Sequence, residues 1–186
     1  MERRTAAAAL IGILAAVASL AGGDLRAATA ARAAATEYEI KAAFLLHFSR
    51  FVEWPASAFA ASDAPLFICV LGDDPFGPVL EQIVRNETVG THPIAVERYR
   101  LAGNLDRCHI LFVARSAEPL QRQILGQVQG KSILTVSEDD EFARRGGVIG
   151  FVTVNGKVKL QVNRSSAQRA DLRISSKLLR LADEVS

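Results

Sequence analysis

The chain has 186 residues, 49% of them apolar, and a formal net charge of +2. That length and apolar content suit one packed domain and exclude wholesale disorder. The near-neutral charge gives no electrostatic reason to expect nucleic acid, whose binders need a concentrated basic face, and Arg and Lys are scattered along the chain, so no nucleic-acid partner is expected.

The N-terminus differs in kind from the rest. Met1 is followed by Arg3 and Arg4, then by AAAALIGILAAVASLAGG, an apolar run of small residues. ATA ends at Ala30 and AAA at Ala35. A basic start, a short apolar stretch and small residues before a cut describe a secretory signal peptide over residues 1–30, its boundary lying as late as 35. The competing reading is a membrane anchor. The run of about 18 residues sits at the low edge for a spanning helix, and Ala and Gly partition weakly into lipid. Cleavage and export are therefore expected, with no direct membrane insertion afterwards and a single domain over residues 36–186.

Ile40, Phe44, His47, Phe48 and Phe51 recur at three- and four-residue steps, which predicts a helix with one apolar face. Thr36 is its expected N-cap, and Pro55 its expected stop. LFICVLGD predicts a strand and FGPVLEQIVRN a short helix. HPIAVERYR, CHILFVA and SILTVSE predict further strands, AEPLQRQILGQVQG a helix between the last two, and DDEFARRGG a short helix. VIGFVTV-NG-KVKLQVN predicts a hairpin, because a type I′ turn needs positive φ at both Asn155 and Gly156. A helix is expected to start near Ser175 or Ser176, while residues 164–174 fit either helix or loop. Wholly apolar strands alternating with amphipathic helices predict an α/β fold: a mostly parallel sheet flanked by helices, with an antiparallel hairpin near the C-terminal end.

Two cysteines, Cys69 and Cys108, permit one pairing. Export into an oxidising space favours a disulfide. In the common 2-1-3 strand order their strands are neighbours, about 4.8 Å apart, within the roughly 4.4–6.8 Å between Cα atoms that a disulfide spans. The alternative is two buried thiols.

The chemical signals are sparse. GDDPFG at residues 72–77 places Gly72 and Asp73 at the end of a strand, where a backbone cradle could hold a small ligand. Asp73 and Asp74 would repel a phosphate, and no GxGxxG or GxxxxGK pattern follows. The plainer role for Asp74 is to cap a helix beginning at Pro75 or Phe76. His47, His92 and His109 lack metal-ligand spacing, and no GxSxG elbow is present. No catalytic residue, metal or cofactor is expected. FSRFVEWP carries Phe48, Phe51 and Trp54, the aromatic load of an interaction surface or of a packed helix end.

EIKAAFLLHFSRFVEWP, FICVLGDDPFG, CHILFV, ILTVSEDDEFARRGGVIGFV, KVKLQVN and LRISSKLLRLA, in this order, closely resemble the YfiR family of exported bacterial proteins, over roughly residues 37–183. The resemblance implies an α/β fold, a periplasmic location and no catalytic activity. It implies a repressor that binds the periplasmic sensor domain of an inner-membrane diguanylate cyclase, lowering cyclic di-GMP and biofilm formation, with envelope redox stress relieving the repression. It also implies a homodimer as a further assembly. Cys69 and Cys108 match family cysteines, which supports their disulfide. Some members carry a second cysteine pair near the segment matching EFARRGGVIGFV; here Phe142, Ala143, Arg144, Arg145 and Phe151 stand there, which weighs against a second redox-sensing bridge. Phe51, Glu53, Trp54 and Arg173 are the expected partner surface. The rival function is a periplasmic receptor for a nucleotide or amino acid, bound near Gly72 and Asp73.

Overall fold

The computed structural model describes residues 6–185, with side chains from residue 27 onward. Arg3 and Arg4, the basic start of the expected leader, lie outside the described residues. The chain divides into two units, Met1–Glu37 and Tyr38–Ser186. In the first, residues 6–37 are helical, the opening part of helix α1, Ala6–Phe51. Thr36 is therefore inside a helix rather than capping one. Its hydroxyl donates to the Arg32 carbonyl at 3.0 Å, the outlet a threonine finds when no free N–H lies within reach. Among the described residues, no helix is long and apolar enough to cross a membrane.

The second unit carries the fold. After α1 come β1 (Val52–Glu53), β2 (Leu66–Leu71), α2 (Pro78–Val84), β3 (Thr88–Val89), β4 (His92–Tyr99) and β5 (Ile110–Val113). They are followed by α3 (Gln121–Gln127), β6 (Leu134–Ser137), β7 (Ile149–Val154) and β8 (Lys157–Asn163). The chain continues through α4 (Arg164–Arg169), β9 (Arg173–Ile174), α5 (Ser176–Leu179) and β10 (Ala182–Val185). Eight strands form one sheet in the order β10-β8-β7-β6-β5-β2-β4-β3. β4, β2, β5, β6 and β7 run parallel, and β8 returns antiparallel to β7. β1 and β9 pair separately and antiparallel, placing Glu53 opposite Arg173. The fold is α/β with a mostly parallel sheet flanked by helices, as the apolar runs predicted.

Strand periodicity assigns the two faces. Leu66, Ile68 and Val70 of β2, with Ile110 and Phe112 of β5, pack into the layer under α1 and α2. Cys69 and Leu71, with Leu111 and Val113, pack into the opposite layer against Ile124, Val128, Leu105 and Phe142. A strand covered on both sides has no position for a polar residue, hence the uninterrupted run LFICVL.

The hairpin turn holds Asn155 at φ 52° and Gly156 at φ 72°, as the Asn-Gly pair predicted. Other expectations are corrected. DDEFARRGG forms successive turns instead of a helix, because Phe142 folds back so that the Gly147 N–H donates to its carbonyl at 3.0 Å. A Cβ on Gly147 would stand 2.2 Å from the Phe142 ring, and that ring is fully buried. Gly147→Ala is therefore expected to destabilise the protein by about 1–3 kcal/mol, read as a lower urea midpoint; an unchanged midpoint would show that the ring can move aside. The C-terminal helix is only the four residues of α5, capped by Ser175. The chain then returns to the sheet as β10, parallel to β8. α1 ends at Phe51, before Pro55, because Val52 and Glu53 are drawn into the pair with β9.

Candidate functional site

α1 is too apolar for one contact. Ala42, Leu45 and Phe48 are buried in the core, and Val52, just past the helix, is buried with them. Ile40, Phe44, His47 and Phe51 form a second stripe beside them, at helical spacing. Phe44 bridges the stripes, its ring 6.0 Å from both Phe48 and Phe151. Leu178 of α5 and Leu181 beyond it face the second stripe, leaving an open apolar groove of about 370 Å³ between the two helices, lined also by Ala43. Ile40 is 44% exposed and Leu181 68%. His47 lies stacked on Phe51, ring centroids 6.1 Å apart. Such a continuous apolar surface marks an interaction site more often than chance exposure.

Beneath α1 lies a polar contact that no sequence pattern signals. Lys41 is 2% exposed and Glu138, just past β6, is 7% exposed. Lys41 Nζ donates to Glu138 Oε2 at 2.6 Å. Tyr38 donates its hydroxyl to the same carboxylate at 3.1 Å, and Lys41 stands 4.7 Å from the Tyr38 ring centroid. The two ends of the pair are 97 residues apart. The pair fixes the rotation of α1, which decides the stripe that lines the groove.

Phe51, one of the expected partner-binding residues, lines the groove. Glu53 and Arg173 are exposed and face one another across the β1–β9 pair. Trp54 is different: it is half-buried, its ring edge-on to His109 at 6.4 Å, with Nε1 closed off and unpaired in hydrogen bonding. Ile40, Phe44, Leu178 and Leu181 were not among the expected residues. Two apolar stripes on one helix were the available signal, and periodicity merges adjacent stripes into a single face.

The GDDPFG corner is occupied by its own fold. The Gly72 N–H donates to the Tyr99 carbonyl at 2.8 Å, and the Asp73 N–H to Ser116 Oγ at 2.7 Å. Gly72 has φ +101°, and a Cβ there would meet Ser116 Oγ at 2.6 Å, so the position requires glycine. The backbone donors that would cradle a ligand are thus already engaged. Asp74 Oδ1 accepts from the Phe76 N–H at 2.8 Å, closing a turn ahead of α2 rather than capping it; α2 starts at Pro78 after Gly77. Asp74 Oδ2 accepts from Arg98 Nε at 2.6 Å, and Arg98 also pairs with Glu81. The hydrogen bond from Arg98 holds the Glu81 carboxyl below its usual range, and Glu81, with Asp74, keeps the guanidinium firmly charged. These bonds tie the corner into the fold.

Cys69 and Cys108 form a disulfide with Cα atoms 5.7 Å apart. It lies in the layer opposite α1 and bridges β2 to the residue just before His109. Among the described residues, no group of three or more His, Cys, Asp or Glu side chains is arranged to hold a metal ion.

No curated protein matches the chain in sequence. The sequence model of one family, described as YfiR/HmsC-like, matches residues 38–183. That stretch takes in the groove, the Lys41–Glu138 pair, the disulfide, seven strands of the sheet and the start of the eighth, β10, and the chain belongs to the YfiR/HmsC-like family.

Proposed function

We propose that this chain is a periplasmic repressor that binds the periplasmic sensor domain of an inner-membrane diguanylate cyclase, lowering cyclic di-GMP and biofilm formation. Membership of the YfiR/HmsC-like family supports a periplasmic, regulatory and non-catalytic role at family level. The disulfide fits an oxidising compartment. The observation that carries the reading on this chain is the groove between α1 and α5, an apolar surface that the chain's own side chains leave half open. Repression by binding has one physical requirement: the groove must favour the inactive sensor conformation over the active one. Phe51 is the anchor, Glu53 and Arg173 supply the charged margin, and Trp54 acts from behind by holding the end of β1.

Ile40→Asp and Leu181→Asp test this reading, since both residues are exposed and their loss leaves the core intact. Each is expected to weaken binding to the sensor domain at least about tenfold, as loss of an interface anchor does, and to raise cellular cyclic di-GMP. Wild-type affinity and wild-type cyclic di-GMP in both folded variants would remove the groove from the interface.

A further inference from the structure

Residues 55–65 join β1 to β2 as a strap over the N-terminal ends of the parallel strands. Side chains from those strands hold it. The Ala58 carbonyl accepts from His109 Nε2 at 3.1 Å, the Ala64 carbonyl from His92 Nδ1 at 2.7 Å, and the Ser62 carbonyl from the Thr91 hydroxyl. The Phe59 ring is slotted between the two imidazoles, its centroid 3.8 Å from His92 and 4.5 Å from His109. Trp54 closes against the edge of His109.

The bonds assign the His109 tautomer. A carbonyl can only accept, so Nε2 carries the hydrogen toward Ala58. The Phe67 N–H donates to Nδ1 at 3.1 Å, so Nδ1 must offer a lone pair. The ring is held neutral by two partners of opposite demand, and a proton on Nδ1 would face an N–H. His92 is not constrained in this way: its Nδ1–H toward Ala64 is present in both the neutral and the charged ring.

We propose that residues 55–65 form an acid-released strap, in which protonation of His109 at Nδ1 breaks the bond from the Phe67 N–H and frees Phe59 and Trp54 from the sheet. The proposal goes beyond the repressor reading and does not depend on any partner.

The groups around His109 pull in both directions, and burial outweighs the rest. His92 faces His109 across Phe59. Arg107 stands 4.5 Å above the Phe67 ring and is paired with Glu97 at 3.2 Å. The strap's own acid, Asp63, and the acid beside Trp54, Glu53, are both exposed. Burial holds the His109 imidazole below its ordinary range, against the favourable pull of the Ala58 and Arg107 backbone carbonyls, and His92 adds to the lowering. The closed strap thus has a depressed histidine, while the open strap returns it to about 6.5. Closure is favoured fully above about pH 6.5 and weakens as pH falls toward the lowered value, by about tenfold per pH unit in that window.

The oxidised full chain supplies its own reporter, since Trp54 is the sole tryptophan. Between about pH 7.5 and 4.5, amide exchange at residues 56–64, corrected for the intrinsic pH dependence of exchange, is expected to accelerate reversibly as pH falls. Trp54 emission should shift to the red with the same reversible midpoint, below about 6.5. His109→Gln keeps a donor and an acceptor without a titration and should abolish both changes. His92→Gln removes the facing imidazole, whose interaction lowers His109, and should move the midpoint upward. Flat exchange across the range, or an unaltered transition in His109→Gln, would overturn the proposal. If His109→Gln does not fold, His92→Gln decides: an unmoved midpoint rejects His109 as the group.

Discussion

Lys41→Met is expected to destabilise the protein by about 3–5 kcal/mol, the largest loss from any single side chain described. The reason is what stays behind. Glu138 is 7% exposed, and without the ammonium 2.6 Å away its carboxylate keeps the Tyr38 hydroxyl as its close partner among the described residues. The guanidinium of Arg115, at 3.8 Å and largely in water, replaces little of the lost attraction. Surrendering the pair altogether should be far milder, because well-packed neutral replacements of buried ion pairs are often tolerated. Lys41→Met with Glu138→Gln is therefore expected to recover most of the loss, the new amide oxygen still accepting from Tyr38. Urea unfolding of the two variants and the wild type checks this. A single variant within about 1 kcal/mol of wild type would mean that water reaches Glu138. Because the pair ties α1 to the end of β6, the single variant should also weaken the proposed sensor-domain binding below its unfolding midpoint.

Cys69→Ala with Cys108→Ala is expected to cost about 4 kcal/mol under oxidising conditions, the chain-entropy value for a loop of this size, the bonded residues being 39 apart in sequence. Alanine is the sharper choice than serine, since both positions are buried among Leu111, Ile124 and Phe142 and a hydroxyl there would add its own burial cost. In excess reductant the gap between wild type and variant should largely close. Equal melting temperatures in oxidising buffer would dissociate the bridge from stability. The bridge joins the strand that ends at the GDDPFG corner to the residue preceding His109, so reduction should also loosen the base of the strap.

The parts of the fold legible in the sequence were those with a short-range cause. LFICVL reads as a strand because both faces are covered, and Asn155-Gly156 reads as a turn because few residues tolerate its φ values. The 2-1-3 order placed the cysteine strands side by side, and β4-β2-β5 is that order. Illegible features had long-range causes. Lys41 sits on an apolar helix and would be read as a solvated interruption; only Glu138, far along the chain, makes its burial tolerable. Thr36 looked like a helix start because capping chemistry is the same whether or not a helix continues upstream. DDEFARRGG had helical composition, but the approach of Gly147 to Phe142 turns the chain. The groove was half legible: Phe51 was named, whereas Leu178 and Leu181 needed α5 to be brought beside α1. Trp54 was read as outward, and only the strap explains why it turns to His109.

β10 has a role unlike that of the strands it follows. It pairs with β8 along Leu160–Asn163 and is itself the outermost strand of the sheet, a short edge whose Asp183 and Glu184 are exposed beside an open row of main-chain groups. Uncapped rows of this kind recruit foreign strands and seed aggregation. Two carboxylates on so short an edge resist such pairing, so the charge at Asp183 and Glu184 bears on solubility.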